Sequence, residues 1–341
     1  MYNTRVAFTY RKSGVNYSFM DPFKNAALRI SGSNSELLEF PNFYLVDVLE
    51  AVGSLNKLAE DLYDETDENF YYQVGWGNAA TILNDLAMSG AKPKTMKLFV
   101  AAGSENWFAN QKNWQPLLQG FADGAKLSGA LWNGGETQTL TDIVNPKSIV
   151  LAGSATGIIH PKSNLISDSN LKEGDRIVLL SSSGVHTNGI TLIRKVFKNN
   201  SKILAEAIKN KTVIYTPLID QLLDSKIEIH YASHITGHGW RKIMRAKKDF
   251  TYVIDKIPKP QPIFRKIQQK TGMNDTEMYG DYNMGVGFAL FIPVESVSLT
   301  LKIANKLRIN ALDAGYIQKG PRRVLIEPLD IDFKGSSLQI R

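Results

Sequence analysis

Four short clusters in this chain set glycine beside acids, amides or hydroxyls where strands should end or helices begin. Backbone N–H groups at such places are free to hold anions. The first cluster, residues 49–57, delivers Glu50 just ahead of Gly53, Ser54 and Lys57. It reads either as a carboxylate for Mg²⁺ beside a phosphate-facing turn or as an ordinary strand exit. The second runs from Gly75-Trp76-Gly77-Asn78 into residues 81–87, where Asp85 interrupts an apolar run and shares a helix face with Asn78. A buried carboxylate must be compensated. Magnesium, which takes one or two carboxylates plus substrate phosphates, would do so, and so would a salt bridge. The third, Trp132-Asn133-Gly134-Gly135-Glu136-Thr137, is read as the end of a helix: a glycine C-cap explains the two glycines but not the acid behind them. The fourth, residues 183–189, follows an apolar strand and opens a helix, with His186 and Asn188 as side-chain donors to an anion. A Thr/Asn N-cap would use the same residues.

Three histidines, His230, His234 and His238, recur every fourth residue, as zinc ligands on a helix would. Their segment, IHYASHITGHG, is β-branched and glycine-rich, so it should run as strand and loop, which argues against that site. The GxxxxGK[ST], GxGxxG and GxSxG signatures are absent. So is cysteine, which excludes disulfides, thiolate metal sites and cysteine nucleophiles. The formal charge is +7, but basic residues are dispersed and their local concentrations, such as residues 241–248, are short. A solvated surface is expected there, with no nucleic-acid partner. No stretch approaches the roughly 20 apolar residues that span a bilayer, and the first residues lack a secretory apolar core. The expectation is a cytoplasmic soluble protein, and the basic balance would suit an enzyme whose ligands carry phosphate.

The elements that position these clusters alternate between strand and helix periodicity. Strands are predicted at 43–53, 96–102 and 149–159, and helices at 69–89 and 114–131. After a polar stretch between Pro161 and Gly174 the pattern restarts with a strand at 176–181. Helices follow at 188–198, 217–224, 260–270 and 294–307, and strands at 227–232, 250–255, 284–292 and 323–327. The fold class is mixed α/β. With 341 residues and 43% hydrophobic content, two packed domains are natural: an arm at 1–36, a first domain at 37–162 and a second at 163–341.

Read in order, the clusters resemble the aminoimidazole ribonucleotide synthetase (phosphoribosylformylglycinamidine cyclo-ligase) family over nearly the whole chain. The second half carries SSSGVHTNGITLIRKV, IYTPLIDQLL, HITGHG and MYGDYNMGVGFAL. The first half carries TYRKSGVNYSFMDPF, NDLAMSGAKP and GGET. The resemblance implies an N-terminal sheet domain that pairs with its symmetry mate, a C-terminal α/β domain, and a homodimer. It also implies ATP and Mg²⁺ as cofactors. ATP would phosphorylate the formyl amide oxygen of formylglycinamidine ribonucleotide, and a substrate nitrogen would then close the imidazole ring.

Carried over by motif, Glu50, Asp85 and Glu136 would hold Mg²⁺ and the triphosphate, and Asp85, Glu136 and His186 would be the catalytic residues. Gly53, Ser54, Lys57, Asn84, Gly134, Gly135 and Thr137 would also line the nucleotide. His186, Thr187, Asn188, Gly189 and Asn283 would contact substrate. The chain departs from the pattern in three places: Leu55 stands at a lysine position, His238 at the third glycine of His-x-Thr-Gly-Gly-Gly, and QTLTD follows GGET. Selenophosphate synthetase and the hydrogenase-maturation dehydratase resemble the chain less, because both rely on a cysteine. A thiamine-monophosphate kinase-like enzyme and a catalytically silent nucleotide-binding homologue are the alternatives.

Overall fold

The computed structural model describes residues 17–31 and 37–338; residues 9–16 of the opening motif lie outside them. Inside the segment expected to be an arm, α1 (Tyr17–Ser31) forms a helix. Met20, Phe23 and Ile30 recur at helical spacing there but remain largely exposed.

The first sheet is built from β1 (Leu37–Glu39), β2 (Tyr44–Ala51), β3 (Lys92–Ala102), β4 (Leu131–Thr139) and β5 (Ile149–Ile159), in the order β1-β2-β5-β3-β4. All neighbours are antiparallel except β3 and β4, which are parallel. Two helices supply the β3–β4 crossover, the short α4 (Asn106–Ala109) and the longer α5 (Gln111–Leu127). Apolar residues alternate along β2 and β5, burying Val46, Val48, Leu151 and Ala155 on one face. That face is covered by α2 (Leu55–Thr66) and α3 (Tyr71–Ala87). The opposite face, with Leu49 74% exposed and Val150 44% exposed, carries no helix among the described residues.

Helix α3 is apolar nearly all round, as a helix enclosed on all sides must be. It also explains Gly75, the first glycine of the second cluster. The residue sits inside the helix, where a Cβ would come within 1.9 Å of the Leu117 carbonyl oxygen on α5. Gly120 meets the Tyr72 carbonyl in the same way, so these glycines let two helix backbones approach.

The second sheet comprises β6 (Arg176–Ser181), β7 (Tyr231–His234), β8 (Phe250–Ile254), β9 (Val286–Ile292), β10 (Ala311–Lys319), β11 (Arg323–Ile326) and β12 (Ile331–Lys334), ordered β12-β11-β8-β10-β6-β9-β7. Strand β9, between β6 and the edge strand β7, is buried at every position and reads as an almost unbroken apolar run. On its faces lie α6 (Ile190–Val196), α7 (Ser201–Lys209), α8 (Thr216–Asp224), α9 (Pro262–Thr271), α10 (Asp275–Asp281) and α11 (Val297–Lys306). The IHYASHITGHG segment is strand and loop, as its composition predicts. His230 is bound there by Asp175 at 2.9 Å.

Glu60 on α2 is 5% exposed and accepts a hydrogen bond from Ser148. Burial pushes its carboxyl from 4.5 up to about 7, against the opposing pull of Ser148 and Lys57. Between those two values the unfolded chain has lost a proton that the folded chain keeps, so stability falls as pH rises through the window. Glu60→Gln should therefore stabilise the protein by roughly 2 kcal/mol above pH 7 and by almost nothing near pH 4. Denaturant titrations at both pH values check this, and an equal effect at both would refute it.

Candidate active site

One side of α3 carries residues that apolar packing does not explain. Gly77, Thr81, Asn84, Asp85 and Met88 recur at helical spacing and form a stripe that faces the second half of the chain. Each has a partner there. The Cβ position of Gly77 lies 3.2 Å from the Thr187 methyl, and the Thr81 hydroxyl lies 3.1 Å from the Thr187 hydroxyl. Asn84 donates to the Val213 carbonyl and accepts from the Tyr215 N–H, both at 2.8 Å. Asp85 is hydrogen-bonded to His234 Nδ1 at 2.6 Å, and the His234 N–H reaches the Met88 sulfur. Ser54–Thr191 and the Arg194–Asp61 pair extend this seam.

A cavity of about 240 Å³ opens along it. Glu50, Ala51, Thr81 and Asp85 line it from the first half. Thr187, Asn188, Thr236, Gly237, His238, Lys242 and Arg245 line it from the second, and Lys24 of α1 closes one side. Asn188 accepts a hydrogen bond from the Gly237 N–H at 3.2 Å, which fixes two wall segments to each other. Burial alone would raise the Asp85 carboxyl. The His234 hydrogen bond and the charges of Lys242 and Arg245 outweigh it and hold the group below the ordinary carboxylate range. Asp85 is therefore an anion at neutral pH, with 17% of its side chain open and one oxygen engaged by His234.

Two acids of the expected three share this cavity. Glu136 does not join them. It lies within the edge strand β4, not at a helix end as expected, and the register Glu50–Gly153–Leu98–Gly135 puts it at least three strand spacings away, roughly 14 Å. The pleat also separates them. Glu50 is in the row that faces α3, whereas Glu136 is in the row of Ala51, Ala152 and Phe99 on the open face. Gly134, Gly135 and Thr137 share its strand, and Thr137 borders an apolar hollow with Trp107 and Trp114.

Several other expected ligands hold the fold. His186 is 6% exposed, and its Nε2 accepts from the Ser183 and Val213 N–H groups, so the ring is turned into the protein. Burial pushes its pKa down to about 3, with His234 adding to the effect, which keeps the imidazole neutral. Asn283 accepts from Ser182 and the Gly285 N–H and donates to the Gly184 carbonyl. Gly189 adopts a positive φ of 79°, with its Cβ position 2.2 Å from the Tyr282 ring. Gly53 likewise has φ 53°, and Ser54 precedes α2 without a capping hydrogen bond, its hydroxyl lying 2.6 Å from that of Thr191. The Lys57 ammonium, in the position to replace the missing lysine, pairs with Asp61 and Glu60.

The cavity also contains residues that the sequence reading left out: Lys24, Thr81, Thr236, His238, Lys242 and Arg245. The last two belong to the basic run expected on a solvated surface. A 3-10 helix, Gly239–Met244, carries it against the seam, and its cations face Asp85.

Two mixed sheets meeting along a buried helix, with acids on one side of the seam and amide, hydroxyl and cationic groups on the other, define an AIR synthase-like α/β fold. "AIR synthase related protein, N-terminal domain" matches residues 59–159, and "AIR synthase related protein, C-terminal domain" matches residues 172–327. The phosphoribosylformylglycinamidine cyclo-ligase of Methanocaldococcus jannaschii is 33% identical, over 91% of this chain and 92% of its own. That of Caldicellulosiruptor saccharolyticus is 31% identical, over 93% and 99%. Among solved structures, hydrogenase maturation protein HypE superposes with a TM-score of 0.67 at 14% identity, covering 86% of this chain and 88% of that one. Thermotoga maritima PurL complexed with AMPPCP superposes with 0.60 at 13% identity, covering 87% and 45%. The chain belongs to the phosphoribosylformylglycinamidine cyclo-ligase (AIR synthase) family. Among the described residues no helix is long and apolar enough to cross a membrane.

Proposed function

We propose that the chain catalyses the ATP-dependent closure of formylglycinamidine ribonucleotide to aminoimidazole ribonucleotide in purine biosynthesis, in the cytoplasm. The observation that carries this reading is the seam cavity, where Asp85 and Glu50 face Lys242, Arg245, Thr187 and Asn188 across a space lined from both halves. Such transfers demand little covalent chemistry from a protein. They demand positioned ligands and neutralised charge on the moving phosphoryl group.

Two carboxylates on one cavity suit Mg²⁺, which completes its shell with triphosphate oxygens and water. Among the described residues no group of three or more acids and histidines is placed to hold a metal ion, so the donor set fits a nucleotide-borne ion better than an all-protein cage. Magnesium, when bound, would neutralise the triphosphate. Lys242 and Arg245 then take charge on the transferred group, and Thr187 and Asn188 orient the second ligand. The γ-phosphoryl group passes to the amide oxygen; the substrate nitrogen attacks the activated carbon, and phosphate leaves with that oxygen. Purified protein given ATP, Mg²⁺ and formylglycinamidine ribonucleotide should release ADP, phosphate and aminoimidazole ribonucleotide in equal amounts. ADP release that ignores the substrate would refute the reaction.

The same reading includes a division into domains at 37–162 and 163–341 and a homodimer through the open face of the first sheet. Leu49 and Val150 are exposed on that face beside Phe99, and it is where Glu136, Gly134 and Gly135 of one protomer could approach its partner. Sedimentation should give twice the 38.0 kDa chain mass. Leu49→Asp should yield a folded monomer, and a dimer that survives this change would exclude the face.

A further inference from the structure

Helix α6 begins just after Thr187 and Asn188 of the seam wall and ends at Lys195 and Val196, which line a second cavity of about 610 Å³. The turn from α6 into α7 and the last two turns of α9 complete its walls, and none of its lining residues belongs to the seam cavity. Its volume lies within the span of small-molecule sites, roughly 300–1,000 Å³.

The charge of this cleft is one-sided. Lys195, Lys198, Lys266 and Lys270 reach it from α6, the α6–α7 turn and α9, and no acid lines it. Lys266 pairs with Glu206 on α7, whereas the other three make no ion pair among the described residues. Helix electrostatics explain only part of the placement. Lys195 and Lys270 stand in the last turns of their helices, where the dipole favours a cation. Lys198 stands just ahead of α7, where the dipole disfavours one, and Lys266 and Lys270 are like charges four residues apart on one helix face. Asn199 and Gln269 add amide donors, and Val196, Phe197 and Ile203 give the cleft an apolar wall.

Lysines without acid partners beside an apolar wall fit several phosphates carried on an organic body. We propose that this cleft binds an organic polyphosphate of nucleotide size, at a site separate from the seam cavity. With no carboxylate in its lining to hold a metal, the cleft takes the anion without Mg²⁺.

The test is a calorimetric titration of ADP into the full-length protein with EDTA present, which withholds the metal that the two seam carboxylates need before they accept a phosphate chain. It compares wild type with a variant carrying both Lys198→Gln and Lys270→Gln, two exposed positions whose change leaves the fold intact. Wild type should bind one ADP per chain, and the variant should bind it at least tenfold more weakly, the loss expected of one or more charge-assisted contacts. In wild type, ADP should also slow acetylation of Lys195 and Lys266, read by peptide mass, and leave the exposed Lys147 of the first half unaffected. Equal affinity in the variant, or protection of lysines only outside the cleft, would overturn the site. Inorganic tripolyphosphate that binds as tightly as ADP would overturn the organic ligand, and an RNA oligonucleotide that binds more tightly would overturn the small-molecule assignment.

Discussion

Asp85→Asn should lower kcat on the order of 10³-fold, the loss expected when one preorganised charge is removed from a site that handles transferring phosphate. The carboxylate is kept ionised by His234, Lys242 and Arg245, so its negative charge is available to a metal-bound nucleotide throughout the neutral range. The amide keeps the size and one acceptor oxygen but not the charge. Stability should change much less. An ionised acid with a depressed pKa contributes stability above its unfolded value and loses it as pH falls from there through the folded one, so variant and wild type should still differ at pH 4 and converge only well below the ordinary carboxylate range. A rate within tenfold of wild type would mean that the cavity's acid does not serve the chemistry.

Asn84→Ala should have the largest effect on folding, about 3 kcal/mol, with the protein's surface unaltered. Both ends of the side-chain amide are spent on backbone, at the Val213 carbonyl and the Tyr215 N–H, and the residue is fully buried. Alanine strands one donor and one acceptor away from water, and each costs about 1–3 kcal/mol. Chemical denaturation measures the loss. Less than 1 kcal/mol would show that the seam is not clamped there.

Asn84 also shows where the sequence stops being informative. Its neighbour Asp85 is the catalytic candidate, and the pair looks like one polar motif in an apolar helix. Which of the two serves a ligand depends on a segment 131 residues further along the chain. His186 poses the same problem. An imidazole in a glycine-rich strand–turn–helix looks like an anion donor, yet its ring accepts two backbone hydrogen bonds and only the next two residues reach the cavity.

Periodicity served best where packing is strongest. β5 and β6 match the predicted ranges, while α3 and β9 each fall within two residues of them. It failed at β4, whose Trp-Asn-Gly-Gly-Glu-Thr run is too polar and glycine-rich to look like a strand. β4 is an exposed edge, where alternation is not enforced by burial. α2 was missed although Leu55, Leu58, Ala59 and Leu62 keep helical spacing; the polar residues Asn56 and Glu60, which the fold also buries, lower the apolar signal of the segment. The basic run at 241–248 was legible as charge but not as a cavity wall, since only the tertiary fold turns Lys242 and Arg245 toward Asp85.

The most direct measurement follows an atom. Formylglycinamidine ribonucleotide carrying heavy oxygen in its formyl amide should be turned over in ordinary water with ATP and Mg²⁺, and the released phosphate analysed by mass. The account predicts one heavy oxygen in each phosphate formed, because the cavity activates that oxygen as the leaving group. Phosphate without the label, formed together with the closed ring, would contradict it.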